Sequence, residues 1–275
     1  MNALSLYDLE YETWNQTAAE YDTLFAPVSA QVIDDVLNSL GEVRGRRHLD
    51  VACGTGQLVA AAAARGAISE GLDFSPMMIK VARQSFPASS FYQSDARRIP
   101  FEDQRFRLVT CTFGLSHMEE PLEVMKEIFR VMEPGGTFTF ALWFGPEDGN
   151  ELMALIKSAV SLYVESTQKL PESWTSLRYA DKQRCRQFLL EAGFDNPDFK
   201  DVPVMIHDPG PQEIINIIEK LTIRTKHVLN EQPHEMRQDI MREIGHLISE
   251  KQSGNGINLK FPALLITAQK PSIEE

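Results

Sequence analysis

Three aspartates stand at the ends of three short apolar runs: Asp50 in His48-Leu49-Asp50-Val51, Asp73 closing Ile68–Asp73, and Asp95 just after Ser90–Gln93. Between the first run and the next helical pattern lies Ala52-Cys53-Gly54-Thr55-Gly56-Gln57. Acids at the C-terminal ends of successive parallel strands face one crevice. A carboxylate at Asp73 can accept both hydroxyls of a ribose. Glycines let the backbone turn tightly and approach a ligand, and the helix behind them offers unpaired N–H groups. Acids at strand ends also serve simply as helix caps, but three of them together with the glycine turn argue for a ligand. That ligand is not a pyrophosphate. The third glycine of the dinucleotide fingerprint falls at Val59, and no Gly-Lys-Ser/Thr follows.

An alternation of strands and helices must position these acids. Helical periodicity covers Gln57–Arg65, then Pro76–Phe86 with Ser75 as N-cap and Pro76 at the first helical position. Arg107–Phe113 reads as a strand, Pro121–Met132 as a helix, and Pro134-Gly135-Gly136 as a turn into the strand Thr137–Trp143. This rhythm predicts an α/β fold with a mostly parallel sheet and helices on both faces. Flanking it, residues 1–45 are helical and amphipathic, with Trp14, Ala18, Tyr21 and Phe25 at helical spacing. Beyond residue 144 the pattern predicts helices Asn150–Lys169 and Asp181–Ala192, a strand Phe199–Ile206, helices Pro211–Leu229 and Pro233–Lys251, and a final strand Leu259–Ala268. The expected organisation is an N-terminal helical cap (1–45), a cofactor-binding core (46–210), an inserted helical lid (211–256), and a final core strand and tail (257–275).

Composition narrows the function. The 275 residues include 39 acidic against 27 Lys plus Arg, a formal charge of −12. That excess repels phosphate backbones and anionic membrane surfaces, so a small-molecule partner is expected and nucleic acid is not. Cys53, Cys111 and Cys185 are odd in number and widely spaced, without metal-ligand spacing, so no metal is expected and a reducing compartment is. The start carries early acids and no basic, apolar leader, and no window nears the roughly 20 apolar residues of a membrane span. A cytoplasmic location is the expectation.

Asp50-Val-Ala-Cys-Gly-Thr-Gly56 resembles the first motif of the class I S-adenosylmethionine-dependent methyltransferases. Gly71-Leu-Asp73-Phe-Ser-Pro-Met-Met-Ile-Lys-Val-Ala82, Ser94-Asp95-Ala96 with Ile99-Pro100-Phe101, Phe113-Gly-Leu-Ser-His117 and Val131-Met-Glu-Pro-Gly-Gly-Thr137 are similar to the later motifs. Trp14, Ala18, Tyr21 and Asp22 match the Trp-x-x-x-Ala-x-x-Tyr-Asp helix of the small-molecule subgroup that resembles ubiquinone/menaquinone methyltransferases. The resemblance is strong over roughly residues 11–143. It implies a Rossmann-like sheet of seven strands, the last antiparallel. It implies S-adenosylmethionine as cofactor, with Asp50, Ala52, Gly54 and Gly56 around the methionyl part. Asp73 would hold the ribose, Phe74 and Met78 would lie by the adenine, Asp95 and Ala96 at its amino edge, and Tyr21 would close over it. Ala52 departs from the family, where many relatives carry glycine.

The acceptor is less legible. His117, after the fourth strand, is the candidate catalytic base, worth roughly 10²–10⁴-fold when the acceptor is a hydroxyl; the same histidine is also a structural loop residue in relatives. Trp14, Trp143 and Trp174 are candidate substrate contacts, with Pro171–Arg178 a candidate lid. No Asn-Pro-Pro-Tyr follows the fourth strand, which argues against amino-methylation of nucleic acids. Two functions remain: methyl transfer to a natural product, quinone-like ring or metabolite, or cofactor binding without methyl transfer, for regulation or another reaction. Either a monomer or a homodimer is compatible.

Overall fold

A computed structural model describes residues 5–164, 177–207, 210–253 and 256–272. The chain opens with α1 (Leu6–Leu24), capped by the Ser5 hydroxyl, which accepts from Asp8 N at 3.1 Å. Short helices α2 (Ala26–Ser29) and α3 (Ile33–Ser39) follow. The core then alternates β1 (Arg47–Val51), α4 (Gln57–Ala64), β2 (Ile68–Asp73), α5 (Pro76–Ser85), β3 (Ser90–Gln93), β4 (Phe106–Thr112), α6 (Pro121–Val131) and β5 (Met132–Trp143). After it come α7 (Glu151–Ser161), α8 (Lys182–Glu191), β6 (Asp195–Val202), α9 (Pro211–Leu221), α10 (Ile223–Asn230), α11 (His234–Glu250) and β7 (Ala263–Gln269).

The seven strands form one sheet in the order β3-β2-β1-β4-β5-β7-β6. β7 runs antiparallel to both β5 and β6, as expected for the last strand, and β1 through β5 pair parallel. Period-two alternation along β7 sends Leu264 and Ile266 to one face and Ala263 and Leu265 to the other. The first face is covered by α6 and α8, whose Val124, Ile128, Cys185 and Leu189 recur at helical spacing. The second is covered by α3 and α4, through Val36 and Leu58, and the same core extends outward through Ile156 of α7, Ile218 of α9 and Ile244 of α11. Each such aliphatic side chain contributes about 1.5–3 kcal/mol on burial.

Several expected boundaries move, each for a local reason. The final strand begins at Ala263, not Leu259. Residues Gly256–Lys260 pair instead with Met205–His207 in a small separate sheet, because Pro262 has no N–H to continue a ladder. Pro203 likewise ends β6 at Val202 and separates Met205–His207 from it, while Pro197 is tolerated because β6 is an edge strand. The helix expected over Pro211–Leu229 breaks at Thr222 (φ −94°, ψ 79°), whose hydroxyl donates to Ile218 O at 2.5 Å. The helix expected over Asn150–Lys169 ends at Ser161, with residues 162–164 turning away from it, and residues 165–176 lie outside the described chain. No helix among the described residues is long and apolar enough to cross a membrane.

The turn from β1 into α4 is built on Gly56, at φ +93°, where a Cβ would lie 2.7 Å from the Phe91 ring of β3. Both conformation and space exclude a side chain. Gly56→Ala is expected to destabilise the fold by about 2–5 kcal/mol, combining left-handed strain with overpacking. Chemical denaturation checks this; a variant within 0.5 kcal/mol of wild type would show that the turn relaxes freely.

Candidate active site

The floor of the site is the loop after β1. Asp50 is fully buried, and its carboxylate accepts from Thr110 Oγ1 at 2.7 Å. Thr110 Oγ1 in turn lies 2.8 Å from His48 Nε2, and His48 Nδ1 lies 2.8 Å from Ser69 Oγ. With the threonine proton given to Asp50, its oxygen accepts from His48 Nε2–H, and Nδ1 accepts from Ser69. The chain Ser69–His48–Thr110–Asp50 thus spans β2, β1 and β4 inside the sheet. Burial pushes the His48 imidazolium down to about 3, so the ring is neutral, and pushes Asp50 up to about 7.

Asp73 ends β2 and holds two loops together. Its Oδ2 accepts from Gly54 N and its Oδ1 from Ser75 N, both at 2.9 Å. These amides partly offset burial, which still raises the carboxyl to about 6. Beyond Asp73, Asp95 caps a short turn through Arg97 N at 2.8 Å and pairs with Arg97 Nη2 at 2.7 Å. Burial raises the Asp95 carboxyl, but the Arg97 hydrogen bonds outweigh it and hold the group below its ordinary value. The Arg97 guanidinium also covers the Tyr7 ring, and Tyr7 and Tyr11 pack edge-on against Phe74.

The opposite end is aromatic. Phe113 follows β4 with φ +63°, an uncommon conformation for a bulky residue, and stacks on Trp143 with ring centroids 3.6 Å apart. Phe25 and Phe261 close the same cluster. Gly114 comes next; a Cβ there would lie 2.5 Å from that of Ala52, so the β1 and β4 loops touch backbone to side chain. Ala52 itself has φ +58°, a region that costs a non-glycine residue roughly 1–2 kcal/mol.

Helix α1 lies across both ends. Asn15 Oδ1 accepts from Ser75 Oγ at 2.8 Å, and Asp22 accepts from Gln57 Nε2 at 2.9 Å, so the helix is tied to the start of α5 and of α4. Glu10, only 1% exposed, accepts from Trp14 Nε1 at 2.9 Å and lies 3.0 Å from His117 Nδ1. Arg224 Nη1 is 3.9 Å from the same carboxylate, and its Nη2 donates to Ser116 O at 2.5 Å. Tyr21 is half-buried against Trp14, its hydroxyl 3.1 Å from Ser29 Oγ.

One open-mouthed cavity joins these pieces, running from Asp73 and Asp95 to the Phe113–Trp143 stack. It brings together Tyr21, Ala52, Gly54, Asp73, Phe74, Met78, Asp95, Ala96, His117, Trp14 and Trp143 of the residues singled out in the sequence. Asp50 and Gly56 do not line it; they sit behind the loop and shape it. Trp174 lies outside the described residues. Sequence reasoning missed Tyr7, Glu10, Arg97, Thr110 and Arg224. A signal for Glu10 existed: it falls four residues before Trp14 on the stripe Leu6, Glu10, Thr13, Thr17, which is polar in the middle yet buried.

A family model described as a methyltransferase domain matches residues 49–140. The demethylmenaquinone methyltransferase of Staphylococcus epidermidis is 30% identical over 181 residues, 58% of this chain and 73% of that protein. The chain belongs to the S-adenosylmethionine-dependent methyltransferases. The demethylmenaquinone methyltransferase of Lactococcus lactis is 28% identical over 212 residues, 72% of this chain and 80% of that one. The Haemonchus contortus phosphoethanolamine N-methyltransferase 2 in complex with S-adenosyl-L-methionine shares the fold, with a TM-score of 0.60 over 98% of this chain and 61% of that one at 16% identity. This methyltransferase takes its methyl group from S-adenosylmethionine. Its residues fit the cofactor: a glycine-bearing loop, a buried carboxylate at the end of β2 on the cavity wall, and apolar Phe74 and Met78 beside it.

The polar chain beneath the floor makes Thr110 the most consequential hidden residue of the methyltransferase. Thr110→Val leaves both Asp50 and His48 short of a buried partner, and the expected loss is about 2–6 kcal/mol at roughly 1–3 per group. Urea denaturation with an unchanged midpoint would show that the buried chain contributes nothing.

Proposed function

We propose that the acceptor is an apolar, ring-bearing small molecule of quinone-like or natural-product type, held between the Phe113–Trp143 stack and the α9–α10 break. The observation that carries this reading is the single cavity running from Asp73 and Asp95 to that aromatic wall. Asp73 takes the ribose hydroxyls, and Phe74, Met78, Asp95 and Ala96 surround the adenine. Ala52, Gly54 and Gly56, braced by Asp50, receive the methionyl part, and Tyr21 closes over it. Trp14 and Trp143 pack the acceptor, and His117 takes its proton. Residues 1–45 and 211–256 act as caps; Lys220 of α9 pairs with Glu20 of α1 at 3.1 Å, which ties the two together. The demethylmenaquinone methyltransferases among the relatives support a ring-bearing acceptor. Three unpaired, buried cysteines suit a reducing cytoplasm.

Bound S-adenosylmethionine supplies an electrophilic methyl group on a sulfonium. The chain's part is to align the acceptor, exclude water and remove a proton, and alignment alone accounts for several kcal/mol of barrier. The functional test is incubation with methyl-labelled cofactor and a metabolite extract. Label is expected in an apolar, ring-bearing small molecule; label only in RNA, or none at all, would overturn the reading.

Two binding experiments follow from the carboxylates. Asp73→Ala is expected to weaken S-adenosylmethionine binding at least tenfold by calorimetry, since charged hydrogen bonds contribute about 1.5–3 kcal/mol each. Unchanged affinity in a folded variant defeats the ribose assignment. The second concerns pH. Asp50 and Asp73 have folded-state values near 7 and 6, above their ordinary 3.8, so the folded apo chain holds more protons than the unfolded one. These groups favour the fold below about pH 4 and lose that contribution as pH rises through 6 and 7. A cationic cofactor favours their ionised forms. Affinity should therefore rise between pH 5.5 and 8, with net proton release of order one near pH 6.5. Calorimetry in buffers of different ionisation enthalpy measures this; proton uptake would be the contrary result.

A further inference from the structure

We infer that Glu10 is a positioning residue for His117, fixing the imidazole tautomer so that Nε2 presents its lone pair to the acceptor. The inference rests on the proposed role of His117 as the proton-taking group. Glu10 sits on α1 and His117 after β4, far apart in sequence, yet the Nδ1 atom lies 3.1 and 3.0 Å from the two carboxylate oxygens. The carboxylate is 1% exposed, so water does not solvate it, and it needs donors. Trp14 Nε1–H supplies one at 2.9 Å. An ionised carboxylate only accepts, so His117 must present Nδ1–H to it. In a neutral ring that leaves Nε2 as the acceptor nitrogen. Among the described residues Nε2 has no hydrogen-bond partner, and His117 lines the cavity.

The loop carrying His117 is held from a second direction. Arg224 donates to Ser116 O, so α10 sets the backbone while α1 sets the ring. The Trp14 ring packs edge-on against the imidazole at 5.2 Å and restricts its rotation. This is the carboxylate–imidazole logic by which a hidden acid selects a tautomer and stabilises the cation formed when the ring takes a proton. In the step assigned here the acceptor's O–H bond breaks, its proton forms an N–H bond at Nε2, and the electron pair stays on oxygen, which would take the methyl group as that group's bond to the sulfonium breaks and leaves its electron pair on sulfur. The imidazolium is balanced by Glu10, and its proton later passes to water through the mouth. Such a step needs a hydroxyl on the acceptor.

The test reads the tautomer itself. Nitrogen-15 long-range correlation spectra of the whole protein with S-adenosylhomocysteine bound, assigned with His117→Gln, should show Nδ1 protonated and Nε2 carrying a lone pair in a single tautomer. In Glu10→Gln the Trp14 N–H claims the amide oxygen and the amide NH₂ faces Nδ1, so the ring should switch to Nε2–H. Glu10→Asp keeps the charge and should keep the wild-type pattern, which separates charge from packing. An Nε2–H tautomer in wild type, or an unchanged tautomer in Glu10→Gln, overturns the inference. The wild-type spectrum decides even if Glu10→Gln does not fold. Calorimetry on the same sample keeps the two claims apart: failure to bind S-adenosylhomocysteine sinks the functional reading, whereas binding with the wrong tautomer sinks only the role of Glu10.

Discussion

The site depends on one constraint: an acid buried at the end of β2 must find hydrogen-bond donors, and the donors are backbone amides of two different loops. Asp73 draws in Gly54 from the β1 turn and Ser75 from the start of α5. A buried carboxylate without partners would be neutralised or would break the fold. By meeting that need, the chain places a glycine turn, a helix N-terminus and an acid around one point. Asp50, one strand over, meets the same need with side chains, and its donors reach through Thr110 and His48 to Ser69. The floor is rigid because its polar groups leave no alternative arrangement that keeps them paired.

The roof is joined to this floor by polar contacts as well as by apolar burial. Asn15 and Asp22 of α1 bond to groups at the starts of α5 and α4, and Glu20 reaches Lys220 of α9. Such contacts are individually modest and partly solvated, the kind that open and close without unfolding a core. The aromatic cluster of Phe25, Phe113, Trp143 and Phe261 contributes in the other direction, each ring pair adding about 0.5–1.5 kcal/mol beyond its burial. That packing holds Phe113 at its unfavourable φ. Gly114 beside it leaves room for Ala52, so the aromatic wall and the β1 loop cannot shift independently.

What could be read in advance was local. The glycine turn, Ser75 with Pro76, the three acids at strand ends and the strand–helix rhythm are each written in consecutive residues, because backbone dihedrals and caps answer to neighbours in the chain. Where they recur in series, only a parallel sheet with its crevice at the strand C-termini buries the apolar runs. Boundaries slipped where a single residue outweighed the periodicity: Pro262 and Pro203 remove a ladder donor, and Thr222 ends a helix whose apolar pattern continues past it.

By itself the sequence determined the cofactor, the sheet and the glycine turn after β1, since each is encoded within a few residues of its motif. Tertiary structure alone decided which polar groups meet across the cavity. Glu10 and His117, Arg224 and Ser116, and Thr110 between Asp50 and His48 are pairs separated by scores of residues. No periodicity or spacing rule links them. They are selected by the requirement that a buried charge or hydroxyl be satisfied, and that requirement takes effect only once the sheet and the crossing of α1 have brought the groups within about 3 Å of one another.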